Sequence, residues 1–161
     1  MPSSFLRGPG MMDSHTDRLS SSLIIHRSAD VLFDLWRNPQ TLPVLMNHVA
    51  HIDIINRTDS LWRMKAPFGQ YIEWKARIED EQPGEFIYWR SLPGARIPNE
   101  GSLSFRPLPN SESTEVTLSI RFNPPGGILG RTLSQVFQLL PKEMLNKTLL
   151  RFKQMAEHPE S

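Results

Sequence analysis

The sequence predicts an α+β protein in which a curved antiparallel sheet of about seven strands wraps around a C-terminal α-helix, with two short helices after the first strand. Between residues 48 and 123, short segments alternate apolar and polar residues and are separated by Pro and Gly. That pattern is typical of antiparallel strands with one buried face. In residues 141–157 the apolar residues recur every three to four positions, as they do along one face of a helix.

Length and composition limit the classes of protein that are possible. A chain of 161 residues suits one domain with one core. The 18 Lys and Arg residues nearly balance the 17 Asp and Glu residues, so no nucleic-acid partner is expected. The absence of Cys excludes disulfides and thiolate-bound metals. No apolar run approaches the roughly 20 residues of a transmembrane helix. We expect a cytoplasmic protein, and no cofactor is expected.

The N-terminal region contains a tail and the first three elements. Residues 1–17 show no periodicity and are predicted to be a disordered tail, in which Met11 and Met12 are alternative starts to Met1. A single domain is expected over residues 18–158. Its first strand is predicted at 18–26, and Ser28 is predicted to cap a helix that ends before Pro39. A second short helix is expected over residues 40–46.

The middle of the chain predicts hairpins. Strands are expected at 48–56, 60–66, 71–81, 85–91, 101–107 and 114–123. If Gln82 and Glu85 flank the Pro83–Gly84 turn, Ile78 faces Trp89 across the hairpin. The same register makes Asp80 face Ile87.

The C-terminal region is predicted to hold two helices. Pro141 is costly inside a helix, so it is interpreted as the first residue of a second helix that runs to Glu157. The preceding piece, 128–140, is too apolar for a fully exposed helix. We expect it to cap a cavity or to make transient contact with a membrane surface.

Several motifs resemble those of the START-like (SRPBCC) superfamily, which has the helix-grip fold. They are IIHRSAD at 24–30, Glu73–Trp74, WRSLPGA at 89–95, and NPPGG at 123–127. Within that superfamily the chain is most similar to bacterial polyketide cyclase/dehydrase-type proteins and to coenzyme-Q-binding proteins. The resemblance covers roughly residues 20–156.

The resemblance implies a deep apolar cavity between the sheet and the C-terminal helix. The residues expected to bind a ligand there are Trp74, Ile78, Trp89, Ser91, Asn99, Leu103, Phe105, Leu118, Ile120, Leu149 and Phe152. Leu42, Leu45 and Met46 are expected near one mouth. The alternative interpretation is that the aromatic residues of this set form a packed core without a cavity.

Three functions are consistent with these features. The first is non-enzymatic binding, transport or presentation of a hydrophobic small molecule such as a lipid, an isoprenoid quinone or a polyketide-like aromatic. The second is a cyclase or dehydratase, which needs a titratable group in the cavity; the candidates are His48, His51, Glu73 and Arg90. The third is a module that binds a protein or the ribosome.

No catalytic set or metal site is predicted from spacing. His48 and His51, with Asp53, are residues of the types that bind zinc, but on a strand the two imidazoles point to opposite faces. Glu73 and Arg90 lie on the polar face of the predicted sheet, where a solvated lattice of charges is expected.

Overall fold

The computed structural model describes residues 18–65, 67–122 and 142–159. It has seven antiparallel strands in one sheet of order β1-β7-β6-β5-β4-β3-β2. The elements are β1 (Arg18–Ile25), α1 (Ala29–Arg37), α2 (Thr41–Leu45), β2 (Ala50–Ile54), β3 (Asp59–Lys65), β4 (Tyr71–Gln82), β5 (Phe86–Ser91), β6 (Asn99–Pro107), β7 (Thr114–Phe122) and α3 (Lys142–Glu157). The sheet curls into a half-barrel, which confirms the predicted helix-grip fold.

The first helix begins and ends where its sequence signals predict. The Ser28 side chain accepts a hydrogen bond of 3.3 Å from the backbone N–H of Val31, which satisfies a donor of the first turn. Asn38, before Pro39, has extended backbone angles and ends the helix. Leu32, Phe33 and Trp36 form the buried face of α1.

Helix α3 packs its apolar face into the half-barrel. Leu145, Leu149 and Phe152 are almost completely buried. The Phe152 ring meets the Trp36 ring edge-on, with centroids 5.2 Å apart. Polar contacts tie α3 to β1: the side chains of Ser21 and Asn146 are hydrogen-bonded, and Lys153 donates to the carbonyl of Ile24. The helix is therefore a core element.

The β4–β5 register is confirmed at one end and wrong at the other. Ile78 faces Trp89 as predicted. Nearer the turn, however, Asp80 faces Tyr88 instead of Ile87, because an extra residue on β4 forms a bulge between Ile78 and Asp80. The bulge moves the charged Asp80 off the apolar face of the hairpin.

The bulge also changes the turn. Gln82 pairs with Phe86, so the connection has three residues, with Gly84 at a φ of 75°. A Cβ atom on Gly84 would lie 2.5 Å from Oδ1 of Asp30, so a side chain there would require the Asp30 carboxylate to move. The hairpin end therefore packs beside the first helix.

The predicted helix at 128–140, proposed to cap the cavity or touch a membrane, lies outside the described residues, as does the glycine-rich joint before it. In the described part of the chain, no helix is long and apolar enough to cross a membrane.

Candidate functional site

A cavity of about 450 Å³ lies between the two short helices and the inner face of strands β2 to β5. Its volume falls within the range of small-molecule sites. The described apolar residues that line it are Phe33, Trp36, Leu42, Ile54, Trp62, Ala76, Ile78, Ile87 and Trp89. Period-two alternation on four strands directs these side chains to one face, and α1 and α2 cover them.

Three tryptophans give the cavity flat aromatic walls. Trp36 of α1 stacks on Trp89 of β5, with ring centroids 6.4 Å apart and planes inclined by 22°. Trp62 of β3 stacks on Trp74 of β4 at 5.7 Å. The indole N–H of Trp62 donates to the Ser60 hydroxyl at 2.9 Å, so its polar atom is satisfied within the wall.

Two ion pairs border the cavity, one on the inner face of the sheet and one at its edge on the polar face. Arg37 of α1 donates to both carboxylate oxygens of Glu81, at 2.8 and 3.4 Å. Arg77 donates to both carboxylate oxygens of Asp59, at 2.8 and 2.9 Å. The hydrogen bond from Arg77 is the main cause that lowers the pKa of Asp59 to about 2. Asp59 is therefore ionised at neutral pH.

The ligand-binding residues predicted from the sequence are distributed over several places. Ile78 and Trp89 line the main cavity. Trp74, Trp89, Asn99 and Ile120 border a much smaller void.

The other residues predicted to bind a ligand either pack in the hydrophobic core or form a hydrogen bond with the backbone. Leu103, Phe105, Leu118, Leu149 and Phe152 belong to the buried core. Ser91 accepts a hydrogen bond of 3.0 Å from the backbone N–H of Asn99.

The titratable candidates lie elsewhere in the described structure. His51 pairs with Asp53 on the exposed surface, at 3.2 Å. Glu73 pairs with Arg63, and Arg90 opposes Arg77 on the polar face, as the register predicts. None of His48, His51, Glu73 and Arg90 is among the described residues of the main cavity.

Other lining residues were not singled out from the sequence. Trp62 carried a usable signal, since it alternates with Met64 on β3. Arg37 and Glu81 carried none: Glu81 turns inward only because of the bulge, and an ion pair between residues 44 positions apart has no local signature.

Comparison with known proteins places this architecture in a family. Residues 25–148 match the family model described as polyketide cyclase/dehydrase and lipid transport. The chain belongs to the polyketide cyclase/dehydrase and lipid transport family. The family's START-like fold is a hydrophobic ligand-binding fold. No curated protein matches the chain.

Solved structures of similar proteins agree with this assignment. A Deinococcus radiodurans protein is 33% identical, with a TM-score of 0.67, and the match covers 87% of this chain and 96% of that one. A START superfamily protein from Mycobacterium smegmatis is 17% identical (TM-score 0.64; 86% and 99% covered). The Zhui aromatase/cyclase from Streptomyces sp. R1128 is 15% identical (TM-score 0.62; 89% and 98% covered). The last two similarities show the shared fold alone.

Proposed function

We propose that this family member binds a hydrophobic small molecule in the tryptophan-lined cavity and acts as a carrier or presenting protein without catalysing a reaction. The observation that carries the proposal is the cavity of about 450 Å³, whose floor is formed by aromatic and aliphatic side chains and whose edge is polar. A lipid chain, an isoprenoid quinone and a polyketide-like aromatic all present the apolar body that such walls accept.

Burial of apolar surface supplies the driving force for binding. Each Å² of apolar surface removed from water contributes about 25 cal/mol. The stacked pair of Trp36 and Trp89 offers a flat, rigid wall. Aromatic rings and branched chains pack well on such a surface, and the wall loses little side-chain freedom when it is covered.

A cyclase or dehydratase is the second candidate, because the bulge on β4 places Glu81 on the cavity lining. An acid or base there must exchange a proton with the substrate. Glu81 and Asp59, however, are both held by arginines through two hydrogen bonds each. The low pKa of Asp59 leaves no proton to donate at neutral pH. These contacts argue against Glu81 and Asp59 as the acid or base, and Asp34, the remaining carboxylate of the described lining, is exposed to solvent. Binding is therefore favoured over catalysis.

Organic extraction of the purified protein followed by mass spectrometry tests the proposal, together with thermal unfolding in the presence of lipids, quinones and polycyclic phenols. We expect a co-purified apolar compound or a raised melting temperature with at least one class, because a ligand that binds only the folded state stabilises it. Failure of both measurements would overturn the proposal. Chemical conversion of a bound compound would favour the enzyme.

Trp89→Arg tests the wall directly. A guanidinium in place of the indole should lower affinity for any apolar ligand at least about tenfold, since a charge would stand on the buried surface. Tyr71→Arg is the matched control, because Tyr71 is exposed and lies outside the described cavity lining. If Trp89→Arg does not fold, Ile78→Trp fills part of the cavity instead. Unchanged binding by a folded wall variant would place the site elsewhere.

A further inference from the structure

Six charged residues border the cavity: Asp34, Arg37, Arg57, Asp59, Arg77 and Glu81. Asp59 and Arg77 face each other on the polar side of β3 and β4, at the edge of the cavity. Four of them form the two ion pairs described above, which leaves Arg57 and Asp34. Asp34 lies on α1, three residues before Arg37, and so belongs to the helical wall. Arg57 lies in the turn between β2 and β3, on the strand side. The described lining thus carries one unpaired cation on its strand side.

The turn that carries Arg57 is held in place by its neighbours. Oδ1 of Asn56 accepts hydrogen bonds from the backbone N–H groups of Thr58 and Asp59, each at 2.9 Å. The backbone N–H of Ile78 donates to the carbonyl of Thr58, also at 2.9 Å, which ties the turn to β4. A fixed backbone therefore holds the main chain of Arg57 at the cavity edge, and its exposed side chain extends from a defined position.

The guanidinium of Arg57 has no hydrogen-bond or ion-pair partner among the described residues. Arginine offers five N–H donors in a fork that fits carboxylate and phosphate oxygens. The free group at this edge is thus a cation suited to an anion.

The other polar groups of this edge also favour an acceptor. Ser60 accepts from the Trp62 indole, so its own hydroxyl proton is free to be donated. The side-chain acceptors nearby are occupied: Asp59 accepts from Arg77, and Asn56 accepts from the turn. On the strand side, the turn and Ser60 therefore present unused donors, whereas the unpaired carboxylate of Asp34 lies on the helical wall.

We propose that the ligand is an amphiphile whose apolar body fills the tryptophan cavity and whose single anionic group, a carboxylate or a phosphate, binds Arg57 at the β2–β3 turn, with the Ser60 hydroxyl on the same wall. This inference rests on the proposed function. It narrows the three ligand classes to acidic members and orients the ligand with its head at the turn.

Three ligands that share a twelve-carbon alkyl chain and differ in the head group test the anionic head: dodecanoate, dodecyl phosphate and dodecanol. Each is used below its micellar concentration. Quenching of tryptophan fluorescence gives the dissociation constants, since three of the four tryptophans line the cavity. We expect at least one anion to bind about fivefold or more tightly than dodecanol, the effect of one partly exposed ionic contact. The preferred anion identifies the head as carboxylate or phosphate.

Arg57→Gln assigns the effect to this side chain. It should remove most of the advantage of the anion and leave the affinity for dodecanol unchanged. Arg96→Gln is the matched control, because it removes the same charge from an exposed arginine outside the described cavity lining. Arg96→Gln should still bind the anion more tightly than dodecanol.

The outcomes separate the two proposals. If dodecanol binds as tightly as both anions, the anionic head is wrong and the apolar site stands. If Arg57→Gln and Arg96→Gln reduce the preference for the anion equally, the anion is attracted by the overall charge of the protein and Arg57 is not its binding site. If Arg57→Gln still binds the anion more tightly than dodecanol by the same factor as the unmodified protein, Arg57 does not bind the head group. If none of the three dodecyl ligands binds, and no lipid, quinone or polycyclic phenol binds either, the proposed function itself is overturned.

Discussion

Trp89 is held on the cavity wall by a residue that has no side chain. Gly101 of β6 pairs with Trp89 of β5 across the sheet. A Cβ atom on Gly101 would lie 2.5 Å from Cε2 and Cζ2 of the Trp89 ring. The indole therefore lies against the backbone of β6, and the space above it becomes cavity.

Gly101→Ala should push the Trp89 ring into the cavity. We expect a loss of about 1–3 kcal/mol in the free energy of unfolding, because the added methyl overpacks the site, and weaker binding of apolar ligands. Urea unfolding and ligand titration measure the two effects. Ser102→Ala, at the next position on the outer face, is the control and should change neither. A Gly101→Ala protein with unaltered stability and affinity would contradict this packing.

At the residue scale, the sequence predicts which side chains face inward but not how charged residues pair. Period-two alternation placed Ile78 and Trp89 on one face, and the structure agrees. Whether Glu81 meets Arg37 depends on a bulge that has no signal of its own in this sequence. Ionic contacts between distant segments depend on how the backbone folds, so spacing along the chain does not predict them.

At the scale of elements, His48 connects the segment between α2 and β2 to helix α3. Its Nε2 lies 3.3 Å from the Met144 carbonyl and 3.3 Å from the Thr148 hydroxyl. Arg151, which can only donate, lies 3.3 Å from Nδ1 and also donates to the Val44 carbonyl. These contacts require a neutral imidazole with its proton on Nε2.

His48 should make the stability of this contact dependent on pH. Burial, and then the charges of Arg151 and Lys147, lower the pKa of His48, although the Met144 carbonyl opposes them. The unfolded chain then binds a proton more readily than the folded one. The contribution of His48 is complete above about pH 6.5 and is lost as pH falls through the folded pKa.

Urea unfolding between pH 8 and pH 5 measures this dependence. The free energy of unfolding of the unmodified protein should fall toward pH 5, and that of His48→Gln should fall less. His51→Gln is the control, because His51 is exposed and pairs with the exposed Asp53; it should follow the unmodified protein. Equal slopes for His48→Gln and the unmodified protein would show that this histidine does not couple to folding.

Element boundaries followed from local chemistry to a large extent. The Ser28 cap, the stop before Pro39 and the alternating strands are all signals that act within a few residues. The three-residue turn after the bulge is the exception, since the sequence Pro83–Gly84 equally suits a two-residue connection.

At the scale of the whole molecule, periodicity and family resemblance together predict a sheet wrapped around a helix, and the family match confirms it. The position of the cavity was harder to derive. The prediction placed it against the C-terminal helix, and the main cavity in the described structure is lined by α1, α2 and β2 to β5. A cavity forms where two apolar faces do not pack fully against each other. The pattern of apolar residues along the sequence does not show where that happens.

An apolar ligand is expected to occupy the space among Trp36, Trp62 and Trp89. Assigned indole N–H signals in a two-dimensional ¹H–¹⁵N NMR titration with dodecanoate test it most directly. The signals of these three tryptophans should shift together and saturate at one equivalent, and the exposed Tyr71→Arg variant should behave identically. Saturating shifts confined to other residues, or indole signals that stay in place while the ligand binds, would contradict it.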